Sequence, residues 1–148
     1  MEFQEEQQIQ QVTLVAPIYN ANHVRLGTFL GGPLIAGYFI AENYKVFGDY
    51  GKAKAAWIYA IAATIVIFGG VFLIPETAHI PNYVIPIAYC WIAYYLTQHF
   101  QGAQITAHAT TGEGFFGWGR VVLISLIGLA VTIVFLAIAI IATDGLTS

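Results

Sequence analysis

The stretch AAWIYAIAATIVIFGGVFLI, residues 55–74, decides the fold class. It carries no charge, follows Lys52 and Lys54, and stops at Pro75 and Glu76. A helix rises about 1.5 Å per residue, so a run of this length matches the roughly 30 Å hydrocarbon core of a bilayer. A second uncharged run, residues 121–142, is opened by Trp118 and Arg120 and closed by Asp144 and Gly145. Both runs predict transmembrane helices.

Composition points the same way. Hydrophobic residues make up 58% of the chain and charged residues 9%, whereas a soluble domain carries about 25% charged residues to keep its surface wet. So few charges suffice only if lipid covers the waist. The net charge is −3 and the five Lys and Arg are scattered, which argues against a nucleic-acid partner, since displacing phosphate counterions takes clustered cations. The start, Met1-Glu2-Phe3-Gln4-Glu5-Glu6, lacks the basic opening and immediate apolar core of a secretory signal, so the chain is expected to insert by its own segments. Cys90 is the single cysteine, which leaves no internal disulfide and no multi-cysteine metal site.

A third apolar segment runs from Ile80 to Leu96, with Pro81 suited to a first helical turn and Pro86 placed to kink it mildly. Residues 12–24 alternate Val12, Leu14, Ala16 and Ile18 around Pro17, which fits a short extended stretch. The remaining segment, Leu26–Ala41, is short for a span and holds Gly27, Gly31, Gly32, Pro33 and Gly37. It reads either as a short kinked span, with Arg25 snorkelling, or as a re-entrant hairpin with Gly31-Gly32-Pro33 at its tip, shielded by other helices. Its hydrophobicity favours the span. The expected fold is therefore an all-α membrane protein, a bundle of four transmembrane helices. Residues 1–23 form a polar tail, 24–142 a single transmembrane domain and 143–148 a C-terminal tail.

Cations set the orientation. Lys45, Lys52 and Lys54 precede the second segment and Arg120 precedes the fourth, while residues 75–79 and the C-terminal tail have none. The positive-inside rule places the loops 42–54 and 97–120 in the cytoplasm. A spanning first segment leaves Arg25 outside as the one violation; a hairpin puts all five cations inside.

Small residues mark where helices in lipid approach each other. Gly27 and Gly31, then Gly37 and Ala41, do so in the first segment. Ala56, Ala60, Ala63 and Gly70 form a stripe in the second, and Ser125, Gly128, Thr132 and Ala139 one in the fourth. These stripes predict a compact left-handed bundle with close crossings, or self-association.

Candidate chemistry centres on residues 97–108. A helix continuing past the membrane surface would put Tyr94, Thr97, Gln101, Gln104 and His108 on one polar face. That face could line a watery groove, bind a headgroup or dock a partner; it is also what any helix emerging into water looks like. His99 and His108, nine apart, fall on opposite sides of a helix, and His79 lies across the membrane from both, so no metal site is expected. No cofactor is implied, although a single axial histidine on a haem or chlorin leaves no spacing signature. Glu42 lies at the end of the first segment, close to Lys45 or Lys54, as an anchor. No ionisable group lies deep in the membrane, which argues against a proton pump or ion-coupled transporter. Nucleophile elbows, phosphate-cradling glycine loops and paired carboxylates are missing from the sequence, so no enzyme is expected.

The stretch Val24-Arg25-Leu26-Gly27-Thr28-Phe29-Leu30-Gly31-Gly32-Pro33-Leu34, then Glu42-Asn43-Tyr44, Ile80-Pro81-Asn82-Tyr83 and Gln101-Gly102, resembles small uncharacterised polytopic membrane proteins of bacteria over residues 24–140. The resemblance implies a bacterial cytoplasmic membrane and no activity, cofactor or site residue. The expected role is a non-enzymatic accessory or scaffold subunit, its partners the lipid bilayer and other membrane subunits or itself. The alternative is a small oligomeric channel or transporter lined by the polar face of the third helix.

Overall fold

The computed structural model describes residues 16–75, 79–112 and 114–147. Among these there are five α-helices and no β-strand: α1 (Ala21–Gly31), α2 (Pro33–Val46), α3 (Tyr50–Leu73), α4 (Val84–Thr110) and α5 (Trp118–Thr147). Two of them, α3 and α5, are long and apolar enough to cross a membrane. A core helix of a soluble protein would hide such a surface. Here Ile65, Val66, Phe72 and Leu73 on α3 and Phe135, Ile138 and Ile141 on α5 are all exposed.

The segment expected to span is two helices, and its breaks are local chemistry. Asn20 caps α1: its side chain accepts from the His23 N–H at 2.9 Å, and His23 Nδ1 accepts from the Asn20 N–H at 3.4 Å. The reciprocal pair satisfies two of the donors a helix start leaves open, with histidine in the place usually held by Glu or Gln. Gly32 ends α1 at φ +85°, a conformation any side chain would resist, and its N–H donates to the Thr28 carbonyl at 2.9 Å. Pro33 then opens α2, where its missing N–H costs nothing.

These two helices fold back on each other. A Cβ added at Gly31 would meet the side chain of Ile35, and one at Gly27 would meet the ring of Phe39. Farther down, Tyr19 stacks on Phe39 with ring centroids 4.3 Å apart and hydrogen-bonds Asn43. Gly27 and Phe39 would lie about 18 Å apart along one continuous helix. The pairing of 31 with 35, 27 with 39 and 19 with 43 defines a helical hairpin with its tip at Gly32-Pro33. Residues 21–46 are thus two helices folded back on each other rather than one kinked helix.

The hairpin is the hub. A three-residue link, Phe47-Gly48-Asp49, turns α2 into α3, with Gly48 at φ +77° and the Asp49 carboxylate capping α3 by accepting the Lys52 N–H at 3.0 Å. That bond, then the Lys52 ammonium, holds the Asp49 carboxyl below its ordinary value. Helix α3 runs back along α2, while α4 and α5 pack on α1; among the described residues the three long helices rest chiefly on the hairpin. The core follows: Tyr19, Val24, Ile35, Phe39, Ala93 and Val121 form one cluster, and Ala41, Tyr44 and Ala53 another at the α2–α3 end.

Several expected boundaries shift. Residues 1–15 of the predicted tail lie outside the described residues; 16–20 are extended, as read, and 21–23 already belong to α1. Helix α4 starts at Val84, so Pro86 rather than Pro81 sits in its first turn, and it runs on to Thr110, leaving only 111–117 of the expected 97–120 loop. Helix α5 passes through Asp144 and Gly145 to Thr147, so 143–147 is helix and not a separate tail.

Small residues place the helices, but around the hairpin and not in a compact four-helix bundle. Gly37 faces Ala60 and the Ala56 carbonyl; Gly31 faces the Ser125 backbone; Gly128 faces Ile35; and Gly32 lies closest to Thr132. Pro33, Ser125, Gly128 and Thr132 are buried and Ala63 is half-buried. Gly70 is the exception, with nothing within 4 Å of an added Cβ. The hairpin ends level with Thr132, about 21 Å along α5 from Trp118, and the stripes continue past it.

Candidate functional site

The polar residues that this fold brings together lie at the hairpin's open end. Asn43, on the last turn of α2, is wholly buried. Its Oδ1 accepts the Tyr19 N–H at 2.7 Å, and its Nδ2 donates to the Tyr19 carbonyl at 2.7 Å and to Gln101 Oε1 at 3.0 Å. Gln101 Nε2 in turn donates to the Ile40 carbonyl at 2.9 Å. One amide thus pairs with a backbone as a β-strand would, and a second ties that pair to α4. The burial is tolerable because every hydrogen-bonding position of the Asn43 amide that these bonds use finds a partner.

Tyr19 completes the knot. Its ring lies 4.3 Å from Phe39 and 4.4 Å from Phe116, and its hydroxyl accepts from Arg120 Nε at 3.0 Å. The Arg120 guanidinium stacks over Phe116 at 4.4 Å. Burial raises the phenol above its ordinary pKa, with Arg120 pulling the other way, so it stays protonated as a hydrogen-bonding group. Ile18 pairs with the 114–116 segment: its N–H reaches the Gly114 carbonyl at 3.4 Å and its carbonyl accepts the Phe116 N–H at 3.0 Å. The chain entering α1 is therefore strapped to the loop entering α5.

The five residues expected on one polar face of α4 separate. Thr97, Gln101 and His108 are buried in the stripe that also contains Cys90, Ala93 and Ile105. Tyr94 is half-buried at its edge and Gln104 is exposed on another side. The inward part of the face packs on α1 and α2, so among the described residues Thr97, Gln101 and His108 are covered within one chain. The deeper hydroxyls fold onto their own helices: Thr28, Thr97, Ser125 and Thr132 each donate to the carbonyl four residues earlier, at 2.6–2.9 Å. Spent in this way, they let helix backbones approach without leaving a polar atom in hydrocarbon.

Glu42 pairs with Lys45 at 2.6 Å, as its position suggested. His99 is exposed while His108 is buried, on different sides of α4. Sequence reasoning missed Tyr19 and Asn43 as structural polar centres. The available signal was an asparagine one step past Glu42 at an apolar boundary.

Comparison of the chain with protein-family models, with curated proteins and with solved structures finds no match.

Proposed function

We propose that the chain is a non-enzymatic scaffold subunit of a bacterial cytoplasmic membrane complex, built from three spanning helices around a hairpin inserted from the cytoplasmic side. The observation that carries this reading is the splay of the long helices. Among the described residues each packs chiefly on the hairpin, without an extensive contact to the others, and beyond Thr132 the inward stripes continue through Ile67 and Gly70 on α3 and Leu136 and Ala139 on α5. None of the described residues lies within 4 Å of an added Cβ at Gly69 or Gly70. The polar residues at the other end are spent on locking the hairpin, which suits a rigid support better than a catalyst.

The topology follows from direction. Helix α3 leaves the hairpin's open end and α5 starts from that end, so a chain in which both cross must return through α4. Lipid suits the outer side of α4, where Ile87, Ile92, Leu96 and Phe100 are exposed. All five cations belong to the half of the molecule at the open end, which the positive-inside rule assigns to the cytoplasm. The hairpin removes the violation that a spanning first segment would leave at Arg25.

Purification from the native membrane in mild detergent tests the role. A stoichiometric, unrelated membrane protein is expected to co-purify, and a photo-crosslinking residue at Gly70 or Ala139 is expected to capture it. A clean homo-oligomer without such a partner would overturn the scaffold and move the weight to an oligomeric channel, for which flux assays are the next step.

A further inference from the structure

Arg25 is a charge that the scaffold reading leaves unused. It lies on α1 with its guanidinium carbon 4.8 Å from the Trp91 ring centroid and 5.2 Å from that of Tyr94. The side chain is neither buried nor fully exposed, and Trp91, at 42% exposure, opens the site to the surroundings of the helices. Among the described residues the ion pairs are Lys45–Glu42 and Lys52–Asp49, and none of the described carboxylates pairs with Arg25. Two aromatic rings hold the guanidinium within cation–π range, and a guanidinium held in this way can donate its N–H groups to an acceptor from outside the chain.

Depth narrows what that acceptor is. Arg25 stands five residues beyond the Asn20 cap, about 7 Å along α1 from the hairpin's open end. A guanidinium at that level of a bilayer is costly without a counter-ion and within reach of the headgroup layer. The surrounding groups suit that layer. Trp91, Tyr94 and Tyr95 form an aromatic cluster beside Arg25, with centroids 5.6–6.0 Å apart. Gln98 Nε2 donates to the Tyr94 hydroxyl at 3.4 Å, and Asn22 is exposed one turn nearer the open end than Arg25.

We propose that Arg25, Trp91 and Tyr94 form a phosphate-recognition site between α1 and α4, occupied by the phosphodiester of an anionic phospholipid from the leaflet at the hairpin's open end. The guanidinium fork matches two phosphate oxygens, and the rings hold the fork and pack beside the glycerol and upper acyl chain. A zwitterionic lipid already carries a cation beside its phosphate, so the site favours lipids with net negative charge. This inference rests on the membrane placement above but not on the scaffold role.

The test uses the full chain, delipidated in neutral detergent and titrated with phosphatidylglycerol, phosphatidylcholine or inorganic phosphate, with native mass spectrometry counting bound ligand. Phosphatidylglycerol is expected to bind in preference to the other two. Arg25→Gln is expected to weaken it about tenfold or more, the usual range for losing a charge-assisted pair. Arg25→Lys keeps the charge and recovers part of the affinity, and Trp91→Leu weakens binding with the charge intact. Equal phosphatidylglycerol binding by the Arg25→Gln variant and the unaltered chain would overturn the site. Displacement of the lipid by equimolar inorganic phosphate would overturn the lipid as its source. A chain that stays dispersed in water without detergent would instead overturn the membrane placement itself.

Discussion

Gly37→Leu is expected to push α3 off the hairpin, while Gly70→Leu leaves the fold as it is. At Gly37 a Cβ would land on Ala60 and stand 3.2 Å from the Ala56 carbonyl oxygen. The obstacle there is a helix backbone, which cannot rotate aside as a long side chain would. Overpacking of this kind costs about 1–3 kcal/mol when neighbours can relax, so an apparent Tm lower by about 5–10 °C is expected. At Gly70 nothing lies within 4 Å, and the added side chain enters open space. The same substitution on the same pair of helices should there change Tm by about 1 °C or less, as at ordinary surface positions. Thermal unfolding of both variants in one detergent compares them directly; equal loss would mean that α2 and α3 do not meet at Gly37.

The second large effect is expected from Asn43→Leu, which nearly conserves volume and so opens no cavity. It orphans the Tyr19 N–H, the Tyr19 carbonyl and one acceptor on Gln101, all paired at 3.0 Å or less. A single interhelical hydrogen bond in a membrane protein averages only about 0.6 kcal/mol. The orphaned groups decide the size here, at about 1–3 kcal/mol for each buried donor or acceptor left alone. A loss of about 3–5 kcal/mol is expected, a large share of the roughly 5–15 kcal/mol that holds a domain together. Gln101→Leu should cost less, because the Ile40 carbonyl belongs to a helix and already accepts from four residues on. Equilibrium unfolding of both variants, with hydrogen exchange at the Tyr19 amide, reads the order. A loss for Gln101→Leu as great as that for Asn43→Leu would contradict the placement of Asn43 at the centre of the knot.

The sequence made some of this legible. The uncharged runs 55–74 and 121–142 announce α3 and α5 because length and the absence of charge are local properties. The spacing of Ala56 and Ala60, and of Ser125, Gly128 and Thr132, is local in the same way, and these residues lie close to Gly37, Gly31, Ile35 and Gly32. The choice between span and hairpin was not local. Gly31-Gly32-Pro33 is a stop followed by a start, which suits a kink and a turn equally, and the deciding fact is that Gly27 has room only for the ring of Phe39. Both hairpin helices also reach beyond the apolar run, through Asn22 and His23 at one end and Asn43 and Lys45 at the other. Hydrophobicity alone therefore drew their limits too tightly.

The α4 face was half legible for a related reason. Thr97 and Gln101 are four apart and both turn inward, but the buried stripe continues through Ile105 to His108, which carries Gln104 to the outside. A polar face read by residue type picks Gln104; packing picks Ile105. Gln101 finds Asn43 across 58 positions of sequence, and no periodicity reports a pairing at that range. Tyr19 was hidden likewise, since its partners Phe39, Phe116 and Arg120 gather only once the hairpin has closed.

The central claim is that residues 21–46 enter and leave on one side. The direct measurement is cysteine accessibility in a Cys90→Ala background, with single cysteines at Asn22, Lys45, Lys54 and Asn82 and a membrane-impermeant maleimide applied to intact spheroplasts and to inverted vesicles. The hairpin predicts that Asn22, Lys45 and Lys54 all label in inverted vesicles, and that Asn82 labels in spheroplasts. Labelling of Asn22 and Lys45 from opposite sides would show a spanning first segment and contradict the account.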